Sequence, residues 1–174
     1  DPAKDTVANM AAKASRMALR RAGLVEKDID FIVFATITPD YFFPGSGVLL
    51  QRELGLDGKI AAMDIRNACS GFIYALSVAD QFIKTGMYNN VLVVGAEIQS
   101  TALDISTRGR NTAVIFGDGA GAVVLQPADS PGILSTHLHS DGHFAEELYV
   151  KDPGSSRPHN ERQPDQILDT STYR

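Results

Sequence analysis

The only cysteine in 174 residues is Cys69. It stands in N-A-C-S-G-F, between an apolar run ending near Ile65 and a helical pattern that continues to Thr85. A thiol at the first turn of a helix meets unpaired backbone N–H groups and the positive end of the helix dipole, which favour a thiolate and hence a nucleophile. Its neighbours Ala68, Ser70 and Gly71 are small and leave the sulfur accessible. A lone cysteine is more often plain core, so the strand-to-helix placement is what makes Cys69 a candidate for covalent catalysis.

Three other groupings could carry chemistry. His137, His139 and Asp141 fall at i, i+2 and i+4, on one face of a strand, with His143 close by. Imidazoles and a carboxylate at that spacing can hold zinc or iron, but no Cys pair or H-E-x-x-H supports a metal, and a hydrogen-bonded structural role is the plainer reading. Arg108 and Arg110 lie in the polar stretch I-S-T-R-G-R-N, where two guanidinium groups could clasp a phosphate or simply be solvated. Phe116 to Ala122, F-G-D-G-A-G-A, satisfies G-x-G-x-x-G/A, yet Val123-Val124-Leu125 and Pro127 leave no room for the helix a dinucleotide site needs. Close backbone packing is the expectation for those glycines.

The elements that must position these residues are legible from periodicity. Val7, Met10, Ala11, Ala14, Met17 and Ala18 recur at helical spacing from Thr6 to Ala22, with Gly23 as the stop. Asp30 to Thr38 is β-branched and aromatic and apolar almost throughout, the pattern of a strand covered on both faces. A short helix follows from Pro44-Gly45-Ser46 to Leu54, then a strand over Lys59 to Ile65, a helix from about Cys69 to Thr85 and a third buried strand over Val91 to Ile98. Such alternation predicts parallel βαβ units in an α/β fold. After residue 110, the stretches Asn111–Phe116, Ala120–Gln126 and Ile133–His139 read as three short strands with an antiparallel edge. Residues 1–150 are expected to form the folded part, and 151–174, with Pro153, Pro158 and Pro164, a loop or linker.

Composition narrows the function. The net charge is −5 and 44% of the residues are hydrophobic, the profile of a soluble globular chain. A mildly acidic chain lacks the basic footprint of a nucleic-acid binder, and no apolar run approaches the roughly 18 residues that span a bilayer. One cysteine allows no internal disulfide, so a cytoplasmic protein acting on a small molecule or a protein partner is expected.

N-A-C-S-G-F, A-L-S-V-A-D-Q-F-I-K-T-G, V-L-V-V-G-A-E, R-N-T-A-V-I-F-G-D-G-A-G-A and G-I-L-S-T-H-L-H-S-D-G follow one another in order. Together they resemble the 3-oxoacyl-[acyl-carrier-protein] synthase III family from about Thr6 to Gly142. The resemblance implies a thiolase-like fold of two similar α/β halves, of which this chain matches the first, with the nucleophile on a buried helix. It implies a transferase that starts type II fatty acid synthesis by condensing an acyl-coenzyme A with malonyl-acyl carrier protein, without metal or organic cofactor. Cys69 would be acylated, Arg110 would pack beside the adenine of coenzyme A, Phe116 would line the acyl tunnel, and Phe43 in Y-F-F-P-G would cross a homodimer interface centred on the third strand. The family's catalytic His and Asn match no residue of this chain, which alone is expected not to condense. The alternatives are a related synthase of polyketide or secondary metabolism, a non-catalytic thiolase-like subunit, and a metal-dependent hydrolase at His137, His139 and Asp141.

Overall fold

The computed structural model describes residues 5–130 and 132–150. They divide into two compact units: residues up to Ile98 with Asp118–Thr136, and Gln99–Gly117 with His137 onward. The expected linker, 151–174, and His159 within it, lie outside the described residues.

The first unit is built on a four-stranded sheet. Helix α1 (Val7–Ala22) is followed by β1 (Phe31–Ala35), α2 (Ser46–Glu53), β2 (Ala61–Ile65), α3 (Gly71–Lys84), β3 (Val91–Glu97) and, after the second unit's first segment, β4 (Gly119–Leu125). The strand order is β2-β1-β3-β4. Strand β1 runs parallel to β2 and β3, with Phe31 opposite both Ala61 and Val91, whereas β4 runs antiparallel to β3 with Leu125 opposite Val91. The parallel α/β core and its antiparallel edge are those expected from the alternation of elements.

Period-two alternation sorts the side chains of β1 and β3 onto two buried faces. Ile32, Phe34, Leu92, Val94 and Ala96 pack with Val7, Ala11, Leu19, Leu50 and Leu54 of α1 and α2. Phe31, Val33, Ala35, Val91 and Val93 pack with Ala75 and Ala79 of α3. Each fully buried Val, Leu, Ile or Phe contributes about 1.5–3 kcal/mol relative to exposure, so these faces supply the main driving force. Helix α3 lies close to the sheet because its inward stripe is Gly71, Ala75 and Ala79. A Cβ on Gly71 would already touch that of Ala35, at 3.4 Å.

Three expectations are corrected. Residues 111–116 are not a strand: Arg110–Ala113 form the short helix α4, because the Gly109 carbonyl accepts the amides of Thr112 and Ala113 at 3.0 and 2.9 Å. No strand is paired with this segment among the described residues, and Val114 and Ile115 stay 79% and 72% exposed. Residues 133–139 are likewise not a strand, since they join no ladder among the described residues. Gly117, Gly119 and Gly121 are not sites of close packing, since a Cβ on any of them would meet nothing within 4 Å. Strand β3 is paired on both sides, with β1 and β4, and β2 and β4 form the edges of the sheet.

The carboxylate of Glu97, at the end of β3, ties down the chain leaving β1. It accepts the amides of Ile37 (2.9 Å) and Thr38 (3.1 Å) and the hydroxyls of Thr36 (3.3 Å) and Thr38 (2.5 Å). Glu97→Ala should therefore lower unfolding stability by about 2–3 kcal/mol, because it strands the part-buried Ile37 amide and takes the charged acceptor from the Thr38 amide, which keeps only Thr36 Oγ1 at 3.1 Å. A urea titration of wild type against the variant measures this, and a loss below about 0.5 kcal/mol would show that water replaces the carboxylate.

Candidate active site

The carboxyl ends of β1, β2 and β3 face one edge of the sheet, the edge where open α/β sheets place their ligands. Two loops rise there, one from β1 to α2 and one from β2 to α3. They are joined at the base, where the Thr36 amide donates to the Ile65 carbonyl at 3.2 Å. The Asp64 carboxylate, near the end of β2, accepts the amides of Ser46 (2.5 Å) and Gly47 (2.9 Å) and so caps α2. Gly45 has to be glycine for this cap to close, because a Cβ there would lie 2.5 Å from Asp64 Oδ1.

Cys69 is exposed on the second loop. It lies in a 3-10 turn, Ala68–Ser70, and α3 proper begins at Gly71, so the cysteine stands just ahead of the helix rather than within its first turn. The turn is held by Ser70 Oγ donating to the Asn67 carbonyl at 2.9 Å and by the Gly71 amide donating to the Ala68 carbonyl. Ala68, immediately before the thiol, has φ +47°, and no other non-glycine among the described residues has a positive φ. A left-handed Ala costs roughly 1–2 kcal/mol, and strain of this kind concentrates at functional sites. The arrangement offers an accessible thiol beside the N-terminus of a 14-residue helix, as nucleophilic attack on a carbonyl requires.

Phe43 lies on the first loop, in the same unit as Cys69, and is 80% exposed beside Phe42 at 6.5 Å between ring centres. Arg110 and Phe116 belong to the second unit, Arg110 as the exposed first residue of α4 and Phe116 half-buried beyond it. Arg108 is tied back to Asp104, with Nε 2.7 Å from Oδ2. Side-chain hydrogen bonding from Ser106, then from Arg108, holds the Asp104 carboxyl at about 2. His143 Nδ1 lies 2.8 Å from Asp141 Oδ1. The Asp141 carboxyl is lowered by the His143 amide first and by the ring second. Among the described residues no three His, Cys, Asp or Glu side chains converge as a metal site, so His137, His139 and Asp141 do not form the face that a strand would have given them.

Residue types and spacing do not point to Ala68, Asp64, Glu97, Asp104 or Gly109. Their roles depend on a backbone angle or on partners up to 61 residues away.

A mixed α/β sheet with an antiparallel strand after β3, and an exposed cysteine on the turn into the helix that covers one face, define a thiolase-like protein. Residues 63–142 match the family described as 3-Oxoacyl-[acyl-carrier-protein (ACP)] synthase III. The β-ketoacyl-[acyl-carrier-protein] synthase III of Methylococcus capsulatus is 51% identical over 154 residues, 88% of this chain and 47% of the relative. The crystal structure of 3-oxoacyl-[acyl-carrier-protein] synthase III from Aquifex aeolicus superposes with a TM-score of 0.80 at 45% identity, covering 86% of this chain and 48% of that one. The priming β-ketosynthase of a polyketide biosynthetic pathway gives 0.79 at 36%, covering 87% and 44%. Over most of its length the chain is similar to 3-oxoacyl-[acyl-carrier-protein] synthase III proteins, and it spans about half the length of the relatives it matches.

Because Ala68 is the one non-glycine at positive φ among the described residues, Ala68→Gly should relieve this strain and raise stability by about 1 kcal/mol, net of the larger unfolded-state entropy of glycine. Thermal denaturation of the two proteins decides the point: an unchanged or lowered midpoint would mean that the turn is not strained.

Proposed function

We propose that the protein is a condensing enzyme, an acyltransferase that makes 3-oxoacyl-acyl carrier protein from an acyl-coenzyme A and malonyl-acyl carrier protein and so initiates type II fatty acid synthesis. The observation that carries this reading is the exposed Cys69 on a strained turn at the carboxyl edge of the sheet, within an N-A-C-S-G-F motif of a chain similar to 3-oxoacyl-[acyl-carrier-protein] synthase III proteins.

In this reading the Cys69 thiolate attacks the thioester carbonyl of the acyl-coenzyme A. A new carbon–sulfur bond forms while the bond to the coenzyme A sulfur breaks, and the Cys69 amide helps hold the oxyanion. Coenzyme A leaves as its thiolate and takes up a proton. Malonyl-acyl carrier protein then loses CO2, and the resulting carbanion attacks the acyl-Cys69 carbonyl, releasing the thiolate and the 3-oxoacyl product. The His and Asn that stabilise the carbanion in the family have no counterpart in these residues. Arg110 packs beside the adenine of coenzyme A, Phe116 lines the acyl tunnel, and Phe43 reaches across a homodimer into the partner's acyl pocket. The reaction needs no metal or organic cofactor, and the enzyme works in the cytoplasm; no helix among the described residues is long and apolar enough to cross a membrane.

The likeness to a priming β-ketosynthase of polyketide synthesis favours one second reading, the same cysteine used on another acyl donor. Product analysis with a panel of acyl-coenzyme A donors separates the two.

Incubating the intact protein with an acyl-coenzyme A and mapping its peptides by mass spectrometry should place one acyl group on Cys69, and Cys69→Ala should abolish both acylation and condensation. Acyl label on another residue, or label surviving in the variant, would sink this assignment. Phe43→Asp should weaken dimerisation and turnover together, since a carboxylate buried without a partner at such a contact costs several kcal/mol. Light scattering and turnover check this, and a fully dimeric, fully active variant would remove Phe43 from the interface.

A further inference from the structure

Between β3 and α4 the chain makes a turn whose construction exceeds what a solvated loop needs. The Asp104 carboxylate accepts the Ser106 amide at 2.9 Å and Arg108 Nε at 2.7 Å. Ser106 Oγ accepts the Arg108 amide at 3.3 Å, and the Ser106 carbonyl accepts the Gly109 amide at 3.1 Å. Gly109 is buried amid exposed neighbours, and a Cβ on it would lie 1.8 Å from the Asp104 carbonyl oxygen and 2.7 Å from its carbon.

The glycine is not required by its backbone angles. Its φ of −83° and ψ of −1° are open to any residue. What only glycine allows here is the contact itself, backbone against backbone, between position 109 and Asp104. From that fixed point the Gly109 carbonyl starts α4 by accepting the Thr112 and Ala113 amides, and Arg110 is its first residue. The same turn draws the exposed Arg108 guanidinium back onto Asp104, whereas the exposed Arg110 stands on the helix start.

The geometry points to Gly109 and Asp104 as positioning residues that set where Arg110 stands for the acyl donor. This rests on the reading of Arg110 as a coenzyme A contact. Neither residue touches substrate. Gly109 sets the Arg110 backbone by close approach, and Asp104 closes the turn through the Ser106 amide and its own carbonyl. The Asp104–Arg108 ion pair adds little by itself, because the Arg108 side chain is 69% exposed and such pairs are weak.

The test is a double-mutant cycle in the intact enzyme, with KM for the acyl-coenzyme A, kcat and the rate of Cys69 alkylation by iodoacetamide as readouts. Arg110→Ala should raise KM roughly 3- to 30-fold, the range expected for a stacked, partly exposed guanidinium, and Arg108→Ala less than about twofold. Gly109→Ala must open the turn and should raise KM about 5- to 30-fold, and Asp104→Ala about 3- to 10-fold, with kcat and alkylation within about twofold, since misplacing a binding group acts on donor capture alone. In the Arg110→Ala background both changes should alter KM less than about twofold. If Gly109→Ala does not fold, Asp104→Ala carries the same criteria. The inference is overturned if both variants leave KM unchanged while Arg110→Ala raises it, or if their effects multiply fully with that of Arg110→Ala. An unchanged KM in Arg110→Ala overturns the coenzyme A reading of Arg110 and this inference with it.

Discussion

The grip of the Asp64 carboxylate on the amides of Ser46 and Gly47 is the contact through which both loops of the candidate site are built. Hydrogen bonds to a charged acceptor contribute about 1.5–3 kcal/mol each, more than neutral ones. Asp64 sits on β2, one residue from the strand end that leads to Cys69, while Ser46 is the first residue of α2, just past Phe43-Pro44-Gly45. One side chain thus fixes the exit of the Phe43 loop to the strand that delivers the cysteine. The bare backbone at Gly45 and Gly47 follows from it, since Cβ atoms there would lie 2.5 and 3.0 Å from Asp64 Oδ1.

The same device recurs around the sheet. Asp40 accepts the amides of Val7 and Ala8 at 2.7 and 3.0 Å and so caps α1 from the β1–α2 loop. Asp30 accepts those of Asn89 and Asn90 at 2.8 and 3.0 Å, joining the entry of β1 to that of β3. Glu97 does the corresponding work at their exits. Helix and strand ends leave unpaired amides that water would otherwise solvate, and a carboxylate from a neighbouring element satisfies two at once while setting the angle between elements. The loops of the carboxyl edge are therefore braced by side chains from the scaffold.

Local signals carried most of the fold. The helix from Thr6 to Ala22 was legible because its apolar residues recur at helical spacing and Gly23, a residue type that marks a helix end, closes it at φ +70°. Strand β1 was legible because all five of its residues are buried, so its sequence has no polar face to confuse the period. Asn111–Phe116 misled because N-T-A-V-I-F has strand composition but no strand to pair with among the described residues, and the carbonyl of Gly109 offers its amides a helical turn instead. The glycines from 117 to 121 misled for a related reason: permissiveness was read as closeness, whereas the close approach lies at Gly109, where Asp104 supplies the backbone. In the site, Cys69 was legible from motif and placement. The carboxylates behind it were not, because Asp64 and Glu97 act across 17 to 61 residues and look like ordinary surface acids in sequence.

The bracing and the strain at Ala68 belong to one argument. An Ala held at φ +47° persists only if relaxation is blocked, for a free loop would release roughly 1–2 kcal/mol by returning to ordinary backbone angles. Relaxation on one side would have to move Ile65, which is paired with Ala35 in the sheet and holds the Thr36 amide. On the other side it would have to move Gly71, where an added Cβ would already touch Ala35 because α3 meets the sheet on a stripe of small residues. The five residues between, Arg66 to Ser70, must complete the reversal from strand to helix, and Ala68, Cys69 and Ser70 do so in a single 3-10 turn. Residues 66 to 70 are all exposed, so the strain at Ala68 is held by the anchoring of the turn at its two ends and not by packing around the thiol, which leaves Cys69 open.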